Sequence, residues 1–186
     1  MKFNLADVFE TVADSVPERI ALSYGGRQIS YAELDRLANQ VAHLFAAHGI
    51  GLDDNVSLFL KNSVEHVTSL LGLLKVRAVP VNVNYRYTNA ELGYIFDNSD
   101  SRGIVVEEPD HQRSVATLLA ELPLVRTVFV IGDVVDELSA AARDLPDGRT
   151  VEVVSFGESE ELPDKRDFEE RTGDEHYLLY TGGTTG

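Results

Sequence analysis

The stretch Asn55-Val56-Ser57-Leu58-Phe59-Leu60, continued by Asn62-Ser63-Val64-Glu65 and closed by Val79-Pro80-Val81-Asn82-Val83, decides the fold. Its first six residues are short, mostly apolar and strand-like. Asn62 with Glu65 has the spacing of a capping box, which predicts a helix through about Val76. Val79–Val83 then reads as a second strand. Strand, helix and strand in this order form a unit whose strands run parallel, because the helix carries the chain back to the starting end.

The same alternation continues toward the C-terminus. Thr88-Asn89-Ala90-Glu91 is a second capping box, leading into Leu92, Ile95 and Phe96. Strand-like runs recur at Gly103–Val106, Thr127–Ile131, Val151–Val154 and His176–Tyr180. Helical patterns lie near Asp110–Glu121 and Val134–Arg143. Gly157–Arg166 is the most linker-like stretch.

Toward the N-terminus, Asn4 can cap a helix through about Ser15, with Leu5, Val8, Phe9 and Val12 at helical spacing. Ile20–Tyr24 and Arg27–Ser30 flank Gly25-Gly26, a pair suited to the positive φ of a tight hairpin turn. Ser30-Tyr31-Ala32-Glu33 reads as another capping box. The helix after it places Leu34, Leu37, Val41, Leu44 and Phe45 on one face and stops at Gly49. The expected class is α/β: a parallel-rich sheet with helices on both faces. In such sheets ligands bind beyond the carboxyl ends of the strands.

Composition removes several functions. The chain has 186 residues, 44% of them hydrophobic and 25% charged, the balance of a globular protein with material for a core. Lys and Arg number 16 against 31 Asp and Glu, a net charge of −15. That sign opposes a phosphate backbone and argues against nucleic acid as a partner. Residues 1–100 carry 12 acidic and 8 basic side chains, residues 101–186 carry 19 and 8, so most of the excess lies in the second half. No cysteine is present, which excludes a disulfide framework, a thiolate zinc site and a cysteine nucleophile. No apolar run reaches the ~20 residues of a membrane span, and Met1–Asp7 lacks the apolar core of a secretory signal, so the expected compartment is the cytoplasm.

The chemistry sits at the end of the chain. After the last strand comes Thr181-Gly182-Gly183-Thr184-Thr185-Gly186. Three glycines let backbone amides approach an anion, and three threonines add hydroxyl donors. Such a loop at a strand's carboxyl end suits a polyphosphate. A Gly/Thr turn that binds nothing has the same composition. The spacing is not that of a Walker loop, because Gly182 and Gly186 are four apart and no Lys follows. No catalytic residue stands out. The five histidines (His43, His48, His66, His111, His176) form no ligand pair, and no serine occupies a G-x-S-x-G elbow. Lys61 and Arg86 follow strand-like segments and could face a ligand's phosphates, but read first as solvated surface groups; Tyr85 and Tyr87 read as packing residues, and Glu107-Glu108 as solvated carboxylates.

Tyr180-Thr181-Gly182-Gly183-Thr184-Thr185-Gly186 resembles the start of the phosphate-binding motif [YF]-T-S-G-T-T-G-x-P-K-G of the adenylate-forming superfamily, which comprises acyl-CoA synthetases, luciferases and nonribosomal adenylation domains. Gly182 stands where Ser is usual. Ser30-Tyr31-Ala32-Glu33-Leu34, Lys61-Asn62-Ser63-Val64-Glu65, Ala78–Asn82, Asn84-Tyr85-Arg86-Tyr87 and Glu91-Leu92 resemble further family segments in family order. The resemblance spans almost the whole chain but only about the first third of a family member. It therefore implies that residues 1–186 are a truncated N-terminal subdomain of the large domain. The Asn82–Tyr87 stretch and Leu178–Gly183 look most like actinobacterial fatty-acid and steroid side-chain CoA ligases.

What the resemblance implies is an ATP-dependent ligase that joins a hydrophobic carboxylic acid to coenzyme A through an acyl-adenylate. Thr181, Gly182, Gly183, Thr184, Thr185 and Gly186 would cradle the β- and γ-phosphates of ATP, and Thr181 would also meet Mg²⁺. A homodimer is among the assemblies expected of it. The isolated chain is expected to be inactive, since the motif's Lys and the C-terminal domain lie outside it. Other readings keep their place: an adenylating partner that loads a carrier protein, a stand-alone interaction module without catalysis, and, least favoured, a P-loop nucleotidase.

Overall fold

A computed structural model describes residues 4–174 and 176–180. In chain order the elements are α1 (Leu5–Ser15), β1 (Ile20–Tyr24), β2 (Arg27–Ser30), α2 (Tyr31–Ala47), β3 (Asn55–Phe59), α3 (Val64–Lys75) and β4 (Val79–Asn82). They continue with α4 (Asn89–Asn98), β5 (Gly103–Val106), α5 (Pro109–Leu118), β6 (Thr127–Val130), α6 (Asp136–Arg143), β7 (Glu152–Ser155) and β8 (Leu178–Leu179). A 3-10 turn, Leu119–Glu121, extends α5, and a longer 3-10 segment, Phe156–Glu161, follows β7.

Six strands make one sheet in the order β7-β6-β5-β3-β4-β8, and every neighbouring pair is parallel. The expected α/β class with helices on both faces is what forms. Side chains alternate across the sheet with period two. Val56, Leu58, Val105, Phe129 and Val154 point to one face, where Val41, Leu44 and Phe45 of α2 and Leu73 of α3 cover them. Phe59, Val81, Ile104, Val106, Val128 and Val130 point to the other face, beneath α4, α5 and α6. The connection after β3 runs over the first face, and the connections after β4, β5 and β6 run over the second. The chain thus switches faces between β3 and β5, and that is where the loops at their carboxyl ends diverge.

Several local readings need correction. The hairpin forms as expected, with Gly25 and Gly26 at φ 57° and 80°. Thr88 and Glu91 make a complete capping box. Ser30 does accept from the Glu33 amide, but Glu33 turns its carboxylate to Arg36 at 2.8 Å, so the box is only half made. The α3 cap is Ser63 rather than Asn62: its hydroxyl accepts from the His66 amide, and the helix begins one residue later. Gly157–Arg166 is not a free linker. Phe156 and Ser159 are buried, and Gln40 of α2 donates to the Glu160 and Leu162 carbonyls at 3.0 and 3.2 Å.

The largest departure is in α1. Of its apolar stripe only Phe9 packs on the core; Leu5, Val8 and Val12 are exposed, while Ala6, Glu10 and Ala13 are buried. Charge explains the rotation. Glu10 reaches the Lys75 ammonium, which is fully buried and also donates to Asp35 at 2.9 Å. Turning Leu5, Val8 and Val12 inward would strand Lys75 opposite hydrocarbon. An unpaired buried charge costs more than three exposed aliphatic side chains.

Helices α2 and α3 meet at Gly72. A Cβ there would stand 3.1 Å from the Ala42 nitrogen and 3.3 Å from the Ala38 carbonyl oxygen, both backbone atoms that cannot step aside. Gly72→Ala is therefore expected to lower stability by about 1–3 kcal/mol, read by urea denaturation. Lys75→Met leaves Glu10 and Asp35 without their shared cation. It is expected to cost about 3–5 kcal/mol in the same measurement.

Candidate functional site

The carboxyl edge of the sheet gathers the ends of β3, β4, β5, β6 and β8. β8 ends beside β4, with Leu178 opposite Val81 and Leu179 opposite Asn82. Tyr180 follows at the carboxyl end. Its ring packs on the core and its hydroxyl donates to Asn98 at 2.9 Å. Burial raises the Tyr180 phenol above its usual range, so it stays a neutral donor. Thr181–Gly186, the sequence-predicted phosphate loop with Thr181 as its metal contact, lie outside the described residues. Their point of departure, Tyr180, is at the edge where the topology rule places ligands.

Around the switch point between β3 and β5 stand Lys61, Glu65, His66, Tyr85, Glu107, Glu108 and His111. Lys61 pairs with Glu108 at 3.1 Å, and that contact raises its ammonium above the usual lysine range. Arg86 lies over the Tyr85 ring at 5.2 Å and donates to its hydroxyl at 3.1 Å. Both cations are partnered, in keeping with a surface role. Glu107 differs from the solvated carboxylate expected of it. Burial first, then the neighbouring Glu65 and Glu108, push its carboxyl above the usual range.

Two loops are fastened by one side chain. Gln112 is fully buried, donates to the Glu107 and Asp133 carbonyls at 2.8 and 3.0 Å, and accepts from the Val135 amide at 2.9 Å. The ends of β5 and β6 are thereby fixed as a rigid wall. His111 stacks on Phe59 with ring centres 4.3 Å apart. The Nδ1 atoms of His66 and His111 are buried without a hydrogen bond among the described residues. His43 packs against Phe168 and also meets Asp167 at 3.0 Å, and His48 packs against Phe129 and meets Glu152 at 3.0 Å. No three His, Asp or Glu side chains among the described residues are grouped to hold a metal ion. No helix among them is long and apolar enough to cross a membrane.

Sequence reading missed the charge network that anchors the segment before β8. Arg166 bridges Asp35 and Asp14 at 2.9 and 2.8 Å, and Arg171 bridges Asp7 at 2.7 Å and Glu10. One signal was available: Lys75 ends the apolar run Leu70-Leu71-Gly72-Leu73-Leu74, an unusual place for a solvated lysine.

With this geometry in hand, comparison with known proteins is decisive: the AMP-binding enzyme family matches residues 9–186. The chain belongs to that family. The 3-oxocholest-4-en-26-oate–CoA ligase of Rhodococcus rhodochrous is 42% identical over 192 residues, covering 100% of this chain and 32% of the relative. A medium/long-chain-fatty-acid–CoA/3-oxocholest-4-en-26-oate–CoA ligase of Mycolicibacterium smegmatis is 41% identical over 186 residues, again 100% of this chain and 32% of the relative. The chain thus spans about a third of the length of these relatives.

Solved structures agree on the fold. The anthranilate CoA ligase AuaEII bound to anthranoyl-AMP superposes with a TM-score of 0.82 at 23% identity, covering 100% of this chain and 33% of that one. ATP-bound MatB of Rhodopseudomonas palustris gives 0.77 at 26% identity, with coverage of 100% and 33%. Both structures therefore share this sheet and its helices.

The edge histidines supply a pH test. Burial holds the imidazoles of His66 and His111 below the usual range. Their contribution to stability is thus complete above about pH 6.5, where the unfolded chain is also neutral, and falls as the pH drops. Glu107 works in the opposite direction, because its raised pKa favours the folded state at low pH. Urea denaturation between pH 7.5 and 5.5 should show a steeper acid-side decline in the wild type than in His66→Gln/His111→Gln. Each histidine accounts for at most about 1.4 kcal/mol per pH unit. Equal slopes would remove both histidines from the account.

Proposed function

We propose that this chain is the N-terminal, phosphate-loop-bearing part of an ATP-dependent acid–thiol ligase that makes acyl-CoA from a fatty acid or a steroid side-chain acid. One observation carries this reading. Thr181-Gly182-Gly183-Thr184-Thr185-Gly186 continues directly from Tyr180 at the carboxyl edge of the sheet, in a chain of the AMP-binding family. The substrate class rests on the 41–42% identity to ligases named for fatty acids and for 3-oxocholest-4-en-26-oate.

The reaction has two displacements. The acid's carboxylate attacks the α-phosphorus of ATP, and pyrophosphate leaves. The thiol sulfur then attacks the acyl carbonyl, and AMP leaves. Charge builds on phosphate oxygens in the first step, so fixed donors there lower the barrier. In this reading the amides of Gly182, Gly183 and Gly186 and the hydroxyls of Thr181, Thr184 and Thr185 are those donors for the β- and γ-phosphates. In this reading Thr181 would help hold the Mg²⁺ that accompanies ATP, and the ion would supply charge neutralisation at the phosphates. ATP and coenzyme A place the reaction in the cytoplasm. A carrier-bound thiol is less favoured, since the relatives of 41–42% identity are named as CoA ligases.

The test is ATP–pyrophosphate exchange with a panel of fatty and steroid acids. It compares the 186-residue chain with the polypeptide encoded by the complete reading frame. Exchange should appear only in the longer polypeptide. There, Thr181→Val should lower kcat/KM for ATP about a hundredfold. Robust exchange by the 186 residues alone, or none by the complete polypeptide with any acid, would overturn the reading.

A further inference from the structure

Between the 3-10 segment Phe156–Glu161 and β8, residues 162–174 form neither helix nor strand. They still follow a defined path over α1, α2 and α3. Apolar packing does not account for it. Residues 163–170 are exposed except for Phe168, which is half-buried against His43 at 4.7 Å between ring centres. Two cavities, of about 430 and 380 Å³, lie along this path, and Phe168 and Glu169 line both. The segment is a strap that spans gaps rather than a filled layer.

Polar ties hold it at intervals. Asn39 donates to the Asp164 carbonyl at 2.9 Å, and His43 meets the Lys165 carbonyl at 3.1 Å and Asp167 at 3.0 Å. Arg166 spans Asp14 and Asp35, and Arg171 spans Asp7 and Glu10. Asp35 and Glu10 are the same carboxylates that hold the buried Lys75. Seven charged groups thus form one network, three cations among four carboxylates. Only Lys75 of the cations comes from the helices. Without Arg166 and Arg171, one lysine would face four carboxylates at the junction of α1, α2 and α3, two of them, Glu10 and Asp35, nearly buried.

What the strap leads to is weakly held by itself. β8 is two residues long and pairs with β4 on one side. A strand this short does not specify its own register. Arg171 is seven residues before Leu178, a reach of at most about 25 Å of extended chain, so fastening Arg171 restricts where β8 can lie.

We propose that Arg166 and Arg171 are positioning residues: by clamping residues 162–174 to the carboxylates around Lys75 they hold β8 against β4, and so fix the position of Tyr180 at the carboxyl edge. Only the task of the loop that begins at Thr181 rests on the ligase reading; the clamp itself does not.

The experiment is hydrogen exchange by mass spectrometry on the 186-residue chain, without nucleotide. Wild type is compared with Arg166→Gln/Arg171→Gln and Arg166→Lys/Arg171→Lys. In the Gln variant the peptide covering residues 176–180 should exchange at least about tenfold faster, while peptides from β3, β5 and β6 keep their wild-type rates. The Lys variant keeps the charge but loses the two-pronged contact, and should restore part of the protection. Three outcomes overturn the proposal: a wild-type 176–180 peptide with no protection, unchanged protection in the Gln variant, or equal acceleration across the whole sheet. A failed exchange assay with the complete ligase would leave this result standing, and the converse also holds.

Discussion

The ammonium of Lys75, closed off from water between Glu10 and Asp35, is the constraint on which the arrangement of the N-terminal layer depends. A buried ion pair is a poor source of net stability, because desolvation offsets most of the attraction. Its effect is on geometry. Once Lys75 is buried on α3, a carboxylate must come to it from each neighbouring helix. α2 supplies Asp35 and α1 supplies Glu10, and α1 can do so only by turning Leu5, Val8 and Val12 to solvent. The carboxylates then exceed the charge of one lysine, and Arg166 and Arg171 restore the balance from a segment more than a hundred and twenty residues away in sequence. Fold and charge are therefore coupled from the first helix to the approach of the last strand.

The sheet is governed by different physics. β3, β5 and β6 are buried on both faces and carry no such charges, so their position follows from apolar burial and backbone pairing. This division separates a core set by hydrophobic contacts from a carboxyl edge tuned by polar ones. At that edge Gln112 joins two loops and Tyr180 is tied to Asn98.

Short apolar runs and turn residues made the sheet legible. Gly103–Val106 lies where local pattern places it, because a strand buried on both faces is a near-continuous apolar run, and the hairpin strands are marked by Gly25-Gly26 between them. The alternation of strands and helices carried the parallel class, and the strand-terminal Gly/Thr loop carried the family resemblance. The outward face of α1 left no such record, since its apolar spacing is genuine and only a distant lysine reverses it. The strap was missed for the same reason. Residues 157–166 have the polar composition of a linker, and what orders them is a set of partners on α1 and α2 that no local window contains. The Asn62 to Ser63 shift in the α3 cap is smaller in kind. Both side chains can cap, and the choice depends on where β3 releases the chain.

Charge also bears on how an acidic chain could serve a polyphosphate. The net charge of −15 is spread over a surface where salt screens within ~8–10 Å, so its far-field effect at any one loop is small. The near field matters more, and at the carboxyl edge it is close to neutral. Lys61 is offset by Glu108, Arg86 rests on Tyr85, and Glu107 lies beside Glu65 and Glu108, which together with burial push its carboxyl above the usual range. The described cations at this edge are thus already committed to partners and leave little attraction for phosphate. In the ligase reading, the attraction comes instead from backbone amides of the glycine-rich loop and from the Mg²⁺ that ATP carries. Such a site depends on where the backbone is placed rather than on how many basic residues surround it. In that reading, the two arginines proposed to hold the approach to β8 would bear more directly on phosphate binding than the lysine and arginine at the edge itself.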